Sequence, residues 1–300
     1  MQKRRVLITG GMGFVGSHLA TQCLEEGWQV SVIHPQSQDL APYRGLYGQV
    51  DAYPTTGSTD EILGIVHSAR PDLVFHLASV FVAEHEARDI RGLVEANVLF
   101  GTQVLEAMTR HHVPYLVNTG TSWQHFLGQP YNPVNLYAAT KQAFEDILAF
   151  FVQSGSLTAI TLKLFDTYGA GDPRRKLFTL LREAAGSQQP LAMSPGEQLI
   201  NLVHVDDVAR AFLVAADRLF SGLVAGHAVY TVSSGNPIRL RELVALYERV
   251  GGVPIPVAWG NRPYRQREVM QPWSTGETLP GWDARIGLAE GIRSVLEEPT

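Results

Sequence analysis

The chain has 300 residues, of which 45% are hydrophobic and 18% charged, with a net charge of −5. That length supplies ample core for one large domain or two closely packed ones; the acidic balance offers no basic face for a nucleic acid, and no apolar run is long enough to span a bilayer. The start, MQKRRVLITG, lacks a signal-peptide cleavage pattern and the lone Cys23 cannot form an internal disulfide, so a reducing cytoplasm is the expected setting.

In chain order the sequence predicts a strand at 5–10, a helix at 14–27 with Cys23 as a small core residue, a strand at 29–35 and a weaker one at 48–54. A helix at 60–71, a strand at 72–79, a long helix at 90–112, a strand at 113–120, a helix at 135–155 and a strand at 157–165 follow. Continuously apolar strands are buried on both faces, so this alternation implies an α/β fold, a doubly wound parallel sheet of the Rossmann kind. Beyond Phe165 the rhythm loosens into a Gly/Pro-rich connection at 166–176 and a short helical run to about Gly186. Residues 198–220 read as strand into helix, 228–252 as strand, turn and helix, and a Pro- and Trp-rich stretch leads to a final helix near 286–298. The expected division is a dinucleotide-binding domain over 1–165, with a segment near 198–220 returning to it, and a smaller, interleaved C-terminal substrate domain over most of 166–300.

ITGGMGFVGSHL (8–19) places Gly10, Gly11, Gly13 and Gly16 between the first strand and the first helix. A dinucleotide needs a tight turn, a backbone bare enough to approach its pyrophosphate, and a helix N-terminus aimed at it, here beginning with Phe14 and Val15. At the end of the second strand, where an NAD site usually holds the ribose with an acid, the chain has His34. No carboxylate there repels a 2′-phosphate, and His34, Gln36 and Ser37 can donate to one, with Arg44 the arginine that can fold back. NADP(H) is therefore favoured over NAD(H), with a merely solvated His34 as the plain alternative.

YAATK (137–141) sets Tyr137 and Lys141 on one helical face. A lysine so placed stabilises a phenolate and turns the tyrosine into a proton donor or acceptor. Such pairs are common on surfaces, but here the pair accompanies the glycine loop, FHLAS (75–79) and NTGTS (118–122) at strand ends.

At these motifs, and at NVLFGT (97–102), LKLFDTYG (162–169), HVDD (204–207) and YTVSSG (230–235), the chain resembles the extended short-chain dehydrogenase/reductases over nearly its whole length. These are nucleotide-sugar epimerases, dehydratases and reductases. The resemblance implies Tyr137 as general acid/base, Lys141 as the cation that lowers its pKa and holds the nicotinamide ribose, and Thr121 as the hydroxyl that polarises the substrate oxygen. It further implies Asn97 as a support of the active-site helix, Leu77, Ala78, Ser79, Thr119 and Phe165 along the cofactor, and a homodimer through the helices at 90–112 and 135–155.

Ser122 and Trp123 stand where the family's 4,6-dehydratases carry the Asp-Glu pair that moves protons during water elimination, so dehydration is not expected. An epimerase keeps its cofactor, commonly NAD, whereas a reductase consumes a reduced one, mainly NADPH; the missing strand-end acid leans toward the reductase. GTS, LYAATK and LKLFDTYG are also similar to the 4-keto-reductases of the CDP-abequose and CDP-paratose synthase type. The expectation is NADPH-dependent reduction of the C4 ketone of a nucleotide-linked 4-keto-6-deoxy sugar. An NAD-dependent nucleotide-sugar epimerase and a non-catalytic, dinucleotide-binding regulatory protein stay open beside it.

On the substrate side, Arg174, Arg175 and Lys176 can bind a diphosphate or form a solvated basic turn. Arg265 matches the family arginine that grips the nucleotide diphosphate, whereas a second phosphate-binding arginine of many relatives is replaced by Ile200. Ser122, Trp123, His125, Asp166 and Gln198 are expected near the sugar, and His85 reads as a solvated loop histidine. His204, Asp206 and Asp207 match a capped strand-to-helix turn, and no metal site is expected.

Overall fold

Apolar runs buried on both faces form the centre of the molecule. The computed structural model describes residues 3–155, 157–187 and 189–297. The first winding comprises β1 (Arg5–Thr9), α1 (Phe14–Glu25), β2 (Gln29–Pro35), the one-turn α2 (Arg44–Tyr47), β3 (Asp51–Thr55), α3 (Thr59–Ala69) and β4 (Leu73–His76). The second comprises α4 (Ile90–Val94), α5 (Phe100–Arg110), β5 (Tyr115–Thr121), α6 (Leu136–Gln153) and β6 (Thr158–Leu164). After β7 (Asp166–Tyr168), α7 (Leu177–Ala185), β8 (Leu191–Met193), β9 (Leu199–Ile200) and β10 (Leu202–His204), the chain returns through α8 (Val205–Phe220) to β11 (His227–Val232). β12 (Ile238–Arg239), α9 (Leu240–Gly251), β13 (Val257–Trp259) and α10 (Leu288–Leu296) end it.

The main sheet runs β11-β6-β5-β4-β1-β2-β3 and is parallel throughout, the doubly wound order with its reversal between β1 and β4. Alternate residues of β1 face opposite layers. Val6 and Ile8 pack with Leu19 and Cys23 of α1 and Phe212 and Leu219 of α8. Leu7 packs with Ile62 of α3, Val104 and Met108 of α5, and Phe144 and Leu148 of α6. A third core joins Leu181 of α7, Leu243 and Tyr247 of α9 and Ile292 of α10 under the outer part of the site.

Several expected boundaries shift for physical reasons. The strand expected at 72–79 leaves the sheet after His76, and Leu77–Ser79 turn toward the strand ends. The connection at 166–176 contains β7, which pairs with β10; β8 pairs with β13 and β9 with β12, all too short for a side-chain period to show in sequence. The helix expected at 90–112 is unbroken to Arg110 but turns π-helical over Glu95–Leu99, which brings Asn97 to a buried position. Of the final helix expected at 286–298, residues Leu288–Leu296 are helical and residue 298 lies outside the described residues. Among the described residues no helix is long and apolar enough to cross a membrane.

α5 and α6 meet at Gly101, where a Cβ would run into the Phe144 ring and lie 3.0 Å from His76 Nε2. Gly101→Ala is expected to cost about 1–3 kcal/mol of stability by overpacking, read as a lower urea midpoint at unchanged m-value. An unmoved midpoint would show that the two helices do not depend on this close approach.

Candidate active site

The strand reversal opens a cleft of about 1700 Å³ at the carboxyl ends of the strands. On its floor Gly13 N donates to Gly10 O (2.9 Å) and Gly10 N to Ile33 O (3.1 Å). Gly10 has φ +70°, and a Cβ on it would lie 2.9 Å from Ala78 N; a Cβ on Gly16 would collide with the Gly10 carbonyl. Gly13 supplies no side-chain cap to α1, so the first-turn amides at Phe14, Val15 and Gly16 keep their capacity to donate, and these residues line the cleft. A cradle that excludes side chains and offers amides fits a pyrophosphate.

His34, 4% exposed, is the penultimate residue of β2 and lines this groove. Its Nδ1 donates to the Pro35 carbonyl (3.0 Å), while Nε2 is buried without a hydrogen-bond partner and the residue lines the cleft. The bond to Pro35 fixes the ring, and a histidine rather than a carboxylate stands at this end of β2. Gln36, Ser37 and Arg44 are exposed and stand outside the cleft lining, because the chain turns outward after Pro35. Gln38 takes that wall instead, bonded to the Met12 carbonyl.

Leu77, Ala78, Ser79, Thr119 and Phe165 line the middle of the cleft, with Thr119 Oγ1 donating to His76 O (2.9 Å). Asn97 lies behind it, 1% exposed. Its Oδ1 accepts from Ser79 Oγ (3.0 Å) and Val80 N (2.8 Å), and its Nδ2 donates to Val80 O (2.9 Å) and Thr140 Oγ1 (3.0 Å). The loop after β4 is thereby tied to α6, whose N-cap Asn135 accepts from Ala138 N (3.0 Å) and donates to Ala83 O (2.9 Å).

Tyr137 faces the cleft from the first turn of α6, and Lys141 lies one turn deeper, 2% exposed. Burial pushes the Tyr137 phenol up to about 12, against a hydrogen bond with Ser79 and the Arg174 charge. Burial pushes the Lys141 ammonium down to about 8, against the attraction of Glu145 and along with the repulsion of Lys163. At neutral pH the pair is a phenol with a cation behind it, a proton donor whose product anion is stabilised. Thr121 ends β5, 8% exposed; its Oγ1 accepts from Trp123 N (3.3 Å), which occupies a lone pair and leaves its proton to a different partner.

Phe81 lies edge-on to Tyr137 (centroids 5.0 Å apart) and tilted against Trp123 (5.6 Å), making an apolar wall beside Ser122. The Lys176 ammonium sits over Phe81 (5.1 Å). Arg265 contacts Glu84 at 3.7 Å and also lines the cleft. The cleft walls desolvate Asp166 and raise its carboxyl above the usual range, against the pull of Lys176, Arg174 and Arg265; burial likewise lowers Lys176. Arg174 chelates Asp172 (2.6 and 2.7 Å) and lies over the Phe14 ring (4.8 Å), so it stands above the glycine cradle. Arg175 is exposed at the rim and paired with Glu183 (2.7 Å). Gln198 and Ile200 line the cleft, whereas His85 is exposed and outside its lining.

His204 Nδ1 accepts from Asp206 N (3.3 Å) to cap α8, and Asp207 accepts from Arg285 N (2.9 Å) and Ile286 N (2.8 Å). Among the described residues no group of three His, Cys, Asp or Glu is placed to hold a metal ion. Cys23 is fully buried, its thiol pushed up by burial.

Sequence reasoning missed one wall. The His125 ring stacks on Trp273 (3.7 Å), and Arg267 lies over Phe126 (4.4 Å) and donates to Asn132. These contacts bind the loop after β5 to the segment around 262–273, where Arg262 also lines the cleft. The three arginines of RPYRQREV were the available signal, but an irregular loop gives no period from which to assign facing.

A model of the NAD dependent epimerase/dehydratase family matches residues 6–230. CDP-abequose synthase of Yersinia pseudotuberculosis is 24% identical over 273 residues, covering 89% of this chain and 91% of that protein. The dTDP-6-deoxy-L-talose 4-dehydrogenase (NAD(P)(+)) of Kitasatospora kifunensis is 26% identical over 314 residues, covering 97% and 94%. The UDP-glucose 4-epimerase of Thermus thermophilus, solved as a complex with NAD, superposes with a TM-score of 0.80 at 25% identity over 98% of both chains. A glycine cradle on a doubly wound sheet, a tyrosine–lysine helix and a match over three quarters of the sequence agree: the chain belongs to the NAD dependent epimerase/dehydratase family, the extended short-chain dehydrogenase/reductases.

Proposed function

We propose that the protein reduces the C4 ketone of a nucleotide-linked 4-keto-6-deoxy sugar with NADPH. The observation that carries this reading is the end of β5, where Thr121, Ser122 and Trp123 line the same cleft as Tyr137, and Trp123 and Tyr137 both pack on Phe81. The site offers a polarising hydroxyl and a proton donor, and that loop carries no carboxylate to move the protons of an elimination. Similarity to a CDP-abequose synthase and to a 4-dehydrogenase named for NAD(P)+ supports it.

A bound nicotinamide supplies the hydride. The Thr121 hydroxyl donates to the ketone oxygen, Tyr137 delivers its proton to the alkoxide that forms there, and Lys141 stabilises the phenolate left behind. Phe81 and Trp123 pack on the sugar, while Lys176 and Arg265 take the diphosphate. His34, near the end of β2, puts no carboxylate there to repel a 2′-phosphate. The reading includes a cytoplasmic homodimer through α4, α5 and α6, where Ile90, Val94 and Phe150 expose apolar side chains. The second reading is an NAD-dependent epimerase, favoured by the likeness to a UDP-glucose 4-epimerase solved with NAD.

The reductase reading expects NADPH oxidation with CDP- or dTDP-4-keto-6-deoxyhexose, followed by the loss of reduced-nicotinamide absorbance. Unchanged absorbance, together with interconversion of UDP- or GDP-sugars without added cofactor, would hand the assignment to the epimerase. Tyr137→Phe is expected to lower kcat by roughly 10²–10⁴-fold with little change in cofactor affinity. Activity near the parent's would remove Tyr137 from the proton transfer. His34→Asp places a carboxylate at the ribose and is expected to reverse the cofactor preference toward NADH by about tenfold or more. A ratio of kcat/KM for NADPH and NADH that does not move would place selection elsewhere.

A further inference from the structure

Directly behind Thr121 lies a buried ion pair that the proposed chemistry does not itself employ. Lys163, the penultimate residue of β6, donates to both oxygens of Glu145 on α6 (2.7 Å each), and the two side chains are 2% and 8% exposed. Gln124 completes the cluster: its Oε1 accepts from Thr121 N (2.9 Å), and its Nε2 donates to Glu145 Oε1 (3.0 Å) and Gln142 Oε1 (2.8 Å). Gly120 leaves the room, since a Cβ there would lie 2.7 Å from Lys163 Cδ and 2.8 Å from Glu145 Oε1. In register, Gly120 pairs with Lys163 and Thr121 with Leu164, so the cluster sits under the last two residues of β5.

Stability gives little reason to keep such a pair, because desolvating both charges offsets most of their attraction and an apolar pair of similar volume often does as well. Its location gives a better one. Tyr137, Lys141 and Glu145 are spaced four apart along one face of α6, so Glu145 is the anion nearest in sequence to Lys141, and Lys163 approaches it from the sheet. We propose that Gln124, Glu145 and Lys163 are positioning residues of the reaction: Gln124 fixes the backbone of Thr121 through the ion pair, and the pair leaves a net negative field that keeps Lys141 an ammonium. The inference rests on the assignment of Thr121, Tyr137 and Lys141 above.

The other ionisable neighbours do not supply that field near neutral pH. Burial holds His76 down to about 3, and burial also lowers His125 and His227, so all three are neutral. Tyr137 stays a phenol up to about 12. Asp146 and Gln142 follow on the exposed side of α6, bonded to each other (2.9 Å). Glu145 and Lys163 remain as the charges that act on Lys141 from its own helix and from β6.

The test is the pH dependence of NADPH and NADH affinity by fluorescence titration, which reads Lys141 through its hold on the nicotinamide ribose and needs no sugar substrate. The parent should lose affinity as Lys141 deprotonates, with a midpoint near pH 8. The neutral double variant Glu145→Gln, Lys163→Met is expected to move that midpoint down by about half a unit or more. Glu145→Gln alone should move it down and Lys163→Met alone should move it up, while Lys163→Arg restores the parent profile. A purely structural pair would change the melting temperature without these opposed shifts, and a midpoint that stays or rises in the double variant overturns the proposal. Gln124→Leu is expected to lower kcat about tenfold with cofactor affinity and midpoint unchanged; an unchanged kcat removes its role at Thr121. Absence of turnover on every keto sugar would sink the reductase reading while leaving the titration decisive for Lys141.

Discussion

Gly10 and Ala78 meet backbone to backbone where the sheet reverses direction, with no space for a side chain between them. From that contact the site follows in steps. The left-handed turn at Gly10 brings the loops after β1 and β4 together and aims the first turn of α1 into the cleft. Ser79, next in the chain, is bonded to Asn97, and Asn97 to Thr140 on α6. The helix that carries Tyr137 is therefore registered against the glycine cradle through Ala78, Ser79, Asn97 and Thr140. A displacement at the cradle would reach the phenol through hydrogen bonds rather than through soft packing, and the π-helical turn at Asn97 is the local irregularity that makes the link.

Depth then decides protonation. Burial favours the neutral form of any acid or base, so it raises the Tyr137 phenol and lowers the Lys141 ammonium. A phenol that holds its proton suits delivery to an alkoxide. A lysine that loses its charge does not, because the phenolate left behind needs a cation. The same environment thus helps one member of the pair and harms the other, and a carboxylate one turn beyond Lys141 is the simplest correction. Glu145 occupies that place, and Lys163 confines its charge by pairing from β6.

The strands of the main sheet were legible because burial on both faces leaves an unbroken apolar signature, and the glycine loop and YAATK were legible because their spacing is itself the physics. The end of β4 was not: Leu77 and Ala78 are apolar for the sake of the cleft and prolong the pattern past the sheet. Ser37 read as a phosphate donor by proximity in sequence, yet the chain turns away after Pro35 and leaves it in solvent. Lys163 on a strand and Glu145 on a helix share no motif in the sequence; only the β5–β6 register and the packing of α6 bring them together. Arg267 and Trp273 belong to a segment without period, so their partners Phe126 and His125 could be found only in three dimensions.

The two walls of the cleft have separate origins, and this separates chemistry from recognition. Thr121, Tyr137 and Lys141 stand on the main sheet and its helix, where the strand order fixes them. Lys176, Arg265 and Arg267 stand on segments held to that frame by side-chain contacts such as His125 on Trp273 and Arg267 on Phe126. The second wall can therefore vary while the first is kept, which accounts for similarity at about one quarter identity to a synthase, a 4-dehydrogenase and an epimerase alike. The reductase and epimerase readings differ on such a frame in the hold on the cofactor, and His34, with Nδ1 bound to the backbone and Nε2 buried without a partner, stands near the end of β2 where that hold is expected.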